Sequence, residues 1–426
     1  MVRAKVGYKD AGANGAASFM TGLHVAAIVI CLAAAIGYLN AKLLRLPSAI
    51  GLMAIGLVGS FVILGLDATG LVDSTALEAF VARIDFAHVL MHGLLGFLLF
   101  AGALHVDLAD LATHKWSILG LALLGTLLST LLIGAGTWLL LEWCGIALPF
   151  VQALLFGALI SPTDPIAVLG IMRSAKVSDD LAVQISGESL FNDGIGVVLF
   201  VVIAAVADGS HPSLSGMAML FLREAVGGAL FGLALGYAAY RVLRSIDDYS
   251  VEVLITLAVV VGGYAAAERL HVSAPIAAVV SGLVVGNQGR RLGMSDRTRH
   301  HVDLFWKLVD EMLNAVLFLL LGLQATRLQL NRQLAVAMAL AIPLALVARL
   351  LSVGMLAPLL GYREPHAVKI LTWGGLRGGI SVALALSLSD GAARGTILAL
   401  TYAVVAFSIL VQGLTLGGML KRLRPS

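Results

Sequence analysis

Three stretches of this sequence set polar and charged groups into apolar runs. Ala158–Leu169, ALISPTDPIAVL, holds Thr163 and Asp164 between Pro162 and Pro165. Ile185–Val198, ISGESLFNDGIGVV, holds Glu188, Ser189, Asn192 and Asp193, and Thr372–Ser381, TWGGLRGGIS, places Arg377 among Gly374, Gly375, Gly378 and Gly379. Asp310, Glu311, Asn314 and Arg349 stand in similar surroundings. Oxygen donors of this kind suit hard cations, and nothing here offers a soft cage for a transition metal. A buried carboxylate resists ionisation, whereas a bound cation favours the ionised form, so a proton and a monovalent cation compete for the same oxygens.

Spacing sorts the second stretch. Residues four apart share a helix face, so Ser189 and Asp193 lie on one stripe and Glu188 and Asn192 on the next. A cation facing the first pair meets a hydroxyl and a carboxylate together. Ser and Asn in a membrane also serve simply to bond neighbouring helices. That bland role suits an aspartate far less, because an unpaired carboxylate is much costlier to bury than an amide.

The elements that carry these residues follow from composition. Of 426 residues, 59% are hydrophobic and 12% charged, with a mean hydropathy of +0.97. So much apolar surface belongs to a polytopic membrane protein. Long continuous apolar runs, without the alternation of barrel strands, make it an all-helical one. Apolar windows centre near residues 30, 57, 96, 130, 160, 196, 230, 260, 280, 315, 345, 378 and 406, which predicts about thirteen transmembrane helices. The first run starts near Leu23 and is long enough to span, so no cleavable signal peptide is expected. An odd number of spans puts the termini on opposite faces, and Lys and Arg are in excess in the loops on the C-terminal side. That predicts a cytoplasmic C-terminus in a cell membrane. The longest polar connections are expected around Gly65–Asp85 and Gly289–His301, with no soluble domain attached. Cys31 and Cys144 have no ligand or disulfide spacing and are expected in the core. The net charge of +3 is too small to argue for a nucleic-acid partner.

A charge near the bilayer centre costs about 2.5–3.5 kcal/mol on insertion scales, so the intramembrane ionisable residues point to function. Pro162 and Pro165 each lack an N–H and clash with the preceding turn, which breaks the fifth helix around Asp164. Glycines flanking Arg377 weaken the twelfth by about 1 kcal/mol each relative to alanine. Irregular backbone at membrane depth is tolerated only where it is buried in protein or lines a wet cavity. If helices one to six and eight to thirteen form two repeats, the fifth and twelfth are equivalent members, and paired interrupted helices mark a transporter's substrate site. Half-helix ends then face each other, with Asp164 and Arg377 compensating their partial charges.

The motifs SPTDPIAV, GESLFNDGIGVV and GGLRGGIS, in that order, resemble the monovalent cation:proton antiporter-1 family, bacterial sodium/proton antiporters related to the animal sodium/proton exchangers. The resemblance implies two inverted six-helix repeats, crossing helices five and twelve, and a homodimer working by an elevator-like movement. It further implies dimerisation or scaffold helices over about 18–106 and 249–328, ion-translocating helices over about 116–207 and 331–423, and a linking helix over about 217–244. The carried-over ion site is Asp193 and Asp164 with Ser189 and the backbone of Thr163. Asn192 ahead of Asp193 is the pattern associated with electroneutral exchange. Glu188 pairs with an arginine in that family; Arg349 fits by its place in the eleventh helix, with Arg377 as the alternative. Relatives often carry a glutamate where this chain has Ala101, which bears on ion preference. His105 and Asp107, beyond it, are not expected to be ligands.

The function expected is exchange of Na+, or of Li+ or K+, for H+ across the cell membrane, with no cofactor and no enzymatic step. A cation channel could use the same carboxylates. An intramembrane aspartyl protease would need different neighbours from Thr163 and Asn192 beside its aspartates, and a serine hydrolase would need a base within reach of Ser189.

Overall fold

The computed structural model describes residues 22–69, 71, 88–164, 172, 178–207, 213–323, 331–362, 366–389 and 391–423. Thirteen principal helices, the twelfth in two halves, follow one another in these residues. They are α1 (Gly22–Leu39), α2 (Ser48–Ala68), α3 (Leu95–Leu104), α4 (Lys115–Trp143), α5 (Phe150–Ile160), α6 (Asp179–Ala207) and α7 (Leu214–Leu243). Then come α8 (Tyr249–Leu270), α9 (Ala274–Val284), α10 (Asp296–Leu323), α11 (Arg332–Leu356), the halves α12a (Ala367–Trp373) and α12b (Gly379–Leu386), and α13 (Ala393–Arg422). No strand occurs among the described residues.

Helix starts are set locally. Ser213, Asp248, Ser273 and Asn331 each accept a backbone N–H from the first turn of α7, α8, α9 and α11, supplying a partner that the helix itself cannot. Seven of the described helices are long and apolar enough to cross a membrane. The 29 residues of α6 exceed what a perpendicular crossing needs, so this helix has length to spare for tilt. By contrast α5, α12a and α12b have 11, 7 and 8 residues, each too short to span. Their ends therefore lie inside the protein.

The helices pack in two groups. In one, α5 lies along α4 and α6, while α11 packs on α4, α12a and α13, and α12b on α13 and α5. In the other, α9 packs on α3, α7 and α8, and α10 on α2, α3 and α8. The groups meet where α6 touches α9 and α10 touches α12b. Outward faces of α1 and α7 expose large apolar residues such as Ile30, Tyr38, Leu222 and Leu230, as lipid contact requires.

Two expectations need correction. Cys31 is exposed and so is not a core residue, whereas Cys144 is half-buried and packs against the core from its edge. A lipid-facing surface is as apolar as an interior, and apolar neighbours in sequence do not imply burial. The connection read over Gly289–His301 is mostly helical, since α10 already begins at Asp296 and a short turn of helix covers Arg290–Leu292. Polar residues there mark a helix that continues outside the apolar zone. The other long connection, around Gly65–Asp85, falls largely outside the described residues, as do Pro165 and the rest of the expected fifth span up to Ile171.

Candidate functional site

The break in the fifth helix begins where α5 ends, at Ser161. Pro162 can offer no N–H, and the chain leaves the helix through Pro162, Thr163 and Asp164. Gly196 of α6 makes room for this departure: a side chain there would collide with the Pro162 ring. The freed carbonyls of Ser161 and Pro162 both accept from Nη1 of Arg377, the latter at 2.9 Å. A cation thus sits at the C-terminal end of α5, where the helix dipole is negative.

Thr163 is tied to α6 on three sides. Its N–H donates to Oδ1 of Asn192 at 3.2 Å, its hydroxyl accepts from Nδ2 of Asn192 at 2.9 Å, and the same hydroxyl lies 3.0 Å from that of Ser189. All three residues are buried. Asn192 is thereby occupied in bracing the break, and the two stripes of α6 that sequence spacing separates converge on one threonine. Asp193 is buried one residue further on, within electrostatic reach of Asp164.

Asp164 is half-buried and joins the two breaks directly. Its N–H donates to the Leu376 carbonyl at 2.7 Å, and its side chain lies against Gly378, the residue just ahead of α12b. A carboxylate beside a helix N-terminus is favourably placed against the dipole. The contact requires glycine, because a methyl group at position 378 would come within 2.8 Å of the Asp164 Cβ and 3.0 Å of its Cγ. We expect Gly378→Ala to push the carboxylate aside and raise the apparent KM for sodium by about tenfold, equivalent to about 1.4 kcal/mol. Sodium titration of exchange in proteoliposomes measures this, and an unaltered KM would show that the position of Asp164 does not matter.

The second break is braced from α11 and α13. Arg349, 3% exposed, places Nη1 2.7 Å from Oε1 of Glu188, and its Nε donates to the Leu371 carbonyl at 3.4 Å. Gln412 donates to the Trp373 carbonyl at 3.0 Å, and Ser408 accepts the Arg377 N–H at 2.8 Å. Ser408 and Gln412 bound a π-helical turn within α13, a distortion that turns side chains off the regular helical stripe. Neither stands out in the sequence, where each is a lone polar residue in an apolar helix. Ala101 is buried in an apolar cluster with Phe100 and Trp306.

Two interrupted helices whose breaks meet in the interior, each with a compensating charge and with carboxylates alongside, define an ion-coupled secondary transporter. Residues 28–422 match the transmembrane sodium/hydrogen exchanger family, and the chain belongs to that family. The Na+/H+ antiporter NhaP of Pseudomonas aeruginosa is 50% identical over 411 residues, covering 94% of this chain and 97% of that protein. NhaH of Halobacillus dabanensis, also a Na+/H+ antiporter, is 38% identical over 412 residues, 95% of this chain and 99% of its own length. The structure of the sodium proton antiporter MjNhaP1 from Methanocaldococcus jannaschii at pH 8 has the same fold, with a TM-score of 0.72 at 19% identity over 93% of this chain and 97% of that one.

Proposed function

We propose that this chain exchanges sodium for protons across the cell membrane, with Asp193 and Asp164 as the alternating site. The observation that carries the reading is the convergence of both carboxylates with Thr163, Ser189 and Asn192 at the crossing of two interrupted helices. Proton and cation take the same carboxylate oxygens in turn. If the barrier is crossed only with one or the other bound, competition alone gives antiport. Family membership and the Na+/H+ antiporters to which the chain is similar support the same substrates.

Several finer features belong to this proposal. The helices α4–α6 and α11–α13 form the moving group around the site, and α1–α3 with α8–α10 the stationary one, linked by α7. Two copies associate through the stationary group in the membrane, and the C-terminus is cytoplasmic, on the side richer in Lys and Arg. Sodium leaves and protons enter when the proton gradient is the larger.

Charge per cycle follows from the braces. Asn192 cannot take up a proton, and Glu188 is held against Arg349, so the carboxylates left to exchange are Asp193 and Asp164, and the Asn192–Asp193 pattern associated with electroneutral exchange sets one proton per cation. One net charge moved across 100 mV changes the energy by about 2.3 kcal/mol. The test is sodium-, lithium- and potassium-dependent proton movement in proteoliposomes clamped with valinomycin at zero and at a large potential. The reversal condition for sodium should be the same at both. A reversal point that moves with voltage would establish a second proton, with Asp164 the first residue to examine. Dissipation of both gradients without build-up of either would make the protein a channel.

A further inference from the structure

The stripe of α10 that faces the crossing carries polar groups the site above does not use. Leu317 of α10 meets α12b at Gly379, where an added methyl would lie 2.6 Å from the leucine Cδ1. Asp310 and Asn314, seven and three residues before Leu317, share its helix face. The opposite flank of α10 is taken by α2, with Gly322 against Gly56. Asp310 and Asn314 are therefore turned toward the crossing, and the two charged groups acting most strongly on Asp310 are carboxylates, Asp164 and Glu311. Carboxylates brought close together repel, and a cation bound between them relieves the repulsion.

Asn314 supplies an independent observation. It is 5% exposed, and its amide nitrogen donates to the Asp310 carbonyl at 2.8 Å and to Asp310 Oδ1 at 3.0 Å. Both partners are acceptors, which fixes the amide orientation. Its oxygen, buried, has no hydrogen-bond partner among the described residues. An orphaned amide oxygen on a residue bonded to a carboxylate is a donor set for a hard monovalent cation.

We propose that Asp310 and Asn314 of α10, together with Asp164, form a second sodium-binding step through which the cation reaches the Asp164–Asp193 site. This rests on the exchange reading for its physiological role. Asp310 contributes a carboxylate and Asn314 its amide oxygen, and the cation passes to Asp193 as the moving group shifts against the stationary one.

The test uses the full chain in proteoliposomes and in detergent. Asp310→Asn and Asn314→Ala should each raise the apparent KM for sodium about tenfold while leaving the maximal rate within about twofold. Asp310→Glu, which keeps the charge, should retain most of the affinity. Sodium-dependent thermal stabilisation of the purified protein should shrink in both charge- and oxygen-deleting variants. An unchanged KM, or a fall in maximal rate at constant KM, overturns the inference and leaves these residues a structural role. Asn314→Ala removes a neutral group and decides the matter if Asp310→Asn does not fold. Should the unaltered protein fail to move protons with sodium, the exchange reading falls by itself. The binding step is then judged by thermal stabilisation alone, which equal sodium shifts in the unaltered and variant proteins would refute.

Discussion

Asp193→Asn should abolish sodium-driven proton movement while leaving a folded protein in the membrane. The amide keeps the shape of the carboxylate but can neither carry the charge that holds a cation nor take up and release a proton. Removing one partner of a buried charge contact costs about 2–5 kcal/mol, so sodium affinity alone should fall by roughly 30-fold to several thousandfold. Proton exchange at the same position is lost outright. Stability should not suffer, because the substitution replaces a buried carboxylate near Asp164 with a neutral group. The measurement is pH-dye fluorescence in proteoliposomes on addition of sodium, with thermal unfolding in detergent as the control. Retained sodium-dependent proton movement would remove Asp193 from the mechanism.

Glu188→Gln should behave in the opposite way, with a large loss of stability and little change in ion affinity. Glu188 is 1% exposed and Arg349 3% exposed, with 2.7 Å between Oε1 and Nη1. Breaking one side of a buried pair costs about 3–5 kcal/mol, chiefly because the remaining charge is stranded. Among the described residues, Arg349 would then keep its long contact to the Leu371 carbonyl in the last turn of α12a. That end of the second break should loosen. Replacing both partners, Glu188→Leu with Arg349→Met, should recover much of the stability, since two apolar side chains leave no orphaned charge. Thermal unfolding of the single and double variants, read beside their sodium KM values, tests the assignment. A stable Glu188→Gln protein with a strongly altered KM would place Glu188 at the cation instead.

The opposite expectations for two residues five positions apart arise from helix geometry. Glu188 points from α6 toward α11, Ser189 and Asn192 toward the Thr163 break, and Asp193 lies buried within electrostatic reach of Asp164. One helix thus supplies the structural pair, the brace and the acid. The site depends on α6 holding its rotation, and the nesting of Pro162 against Gly196 contributes to that.

Much of this was legible in the chain itself. Lipid imposes its rule on each segment separately: a span must be apolar and helical, and a break or a charge within it must have a reason. Thirteen helices, the interruptions at Pro162 and at Gly374–Gly379, and the family could therefore be read from local sequence. The partners of these residues could not. That Arg349 meets Glu188 while Arg377 takes the carbonyls of Ser161 and Pro162 depends on contacts between segments 161 and 216 residues apart at the widest. Likewise Ser408 and Gln412 reach the second break only through the π-helical turn of α13, and Asp310 and Asn314 face the crossing only because α2 claims the other flank of α10. Helix rotation and depth are set by packing against neighbours, since an apolar sequence is equally content against lipid or protein. The exposure of Cys31 shows the same indifference. The sequence by itself determined which residues needed partners, and the tertiary structure alone decided which partners they received.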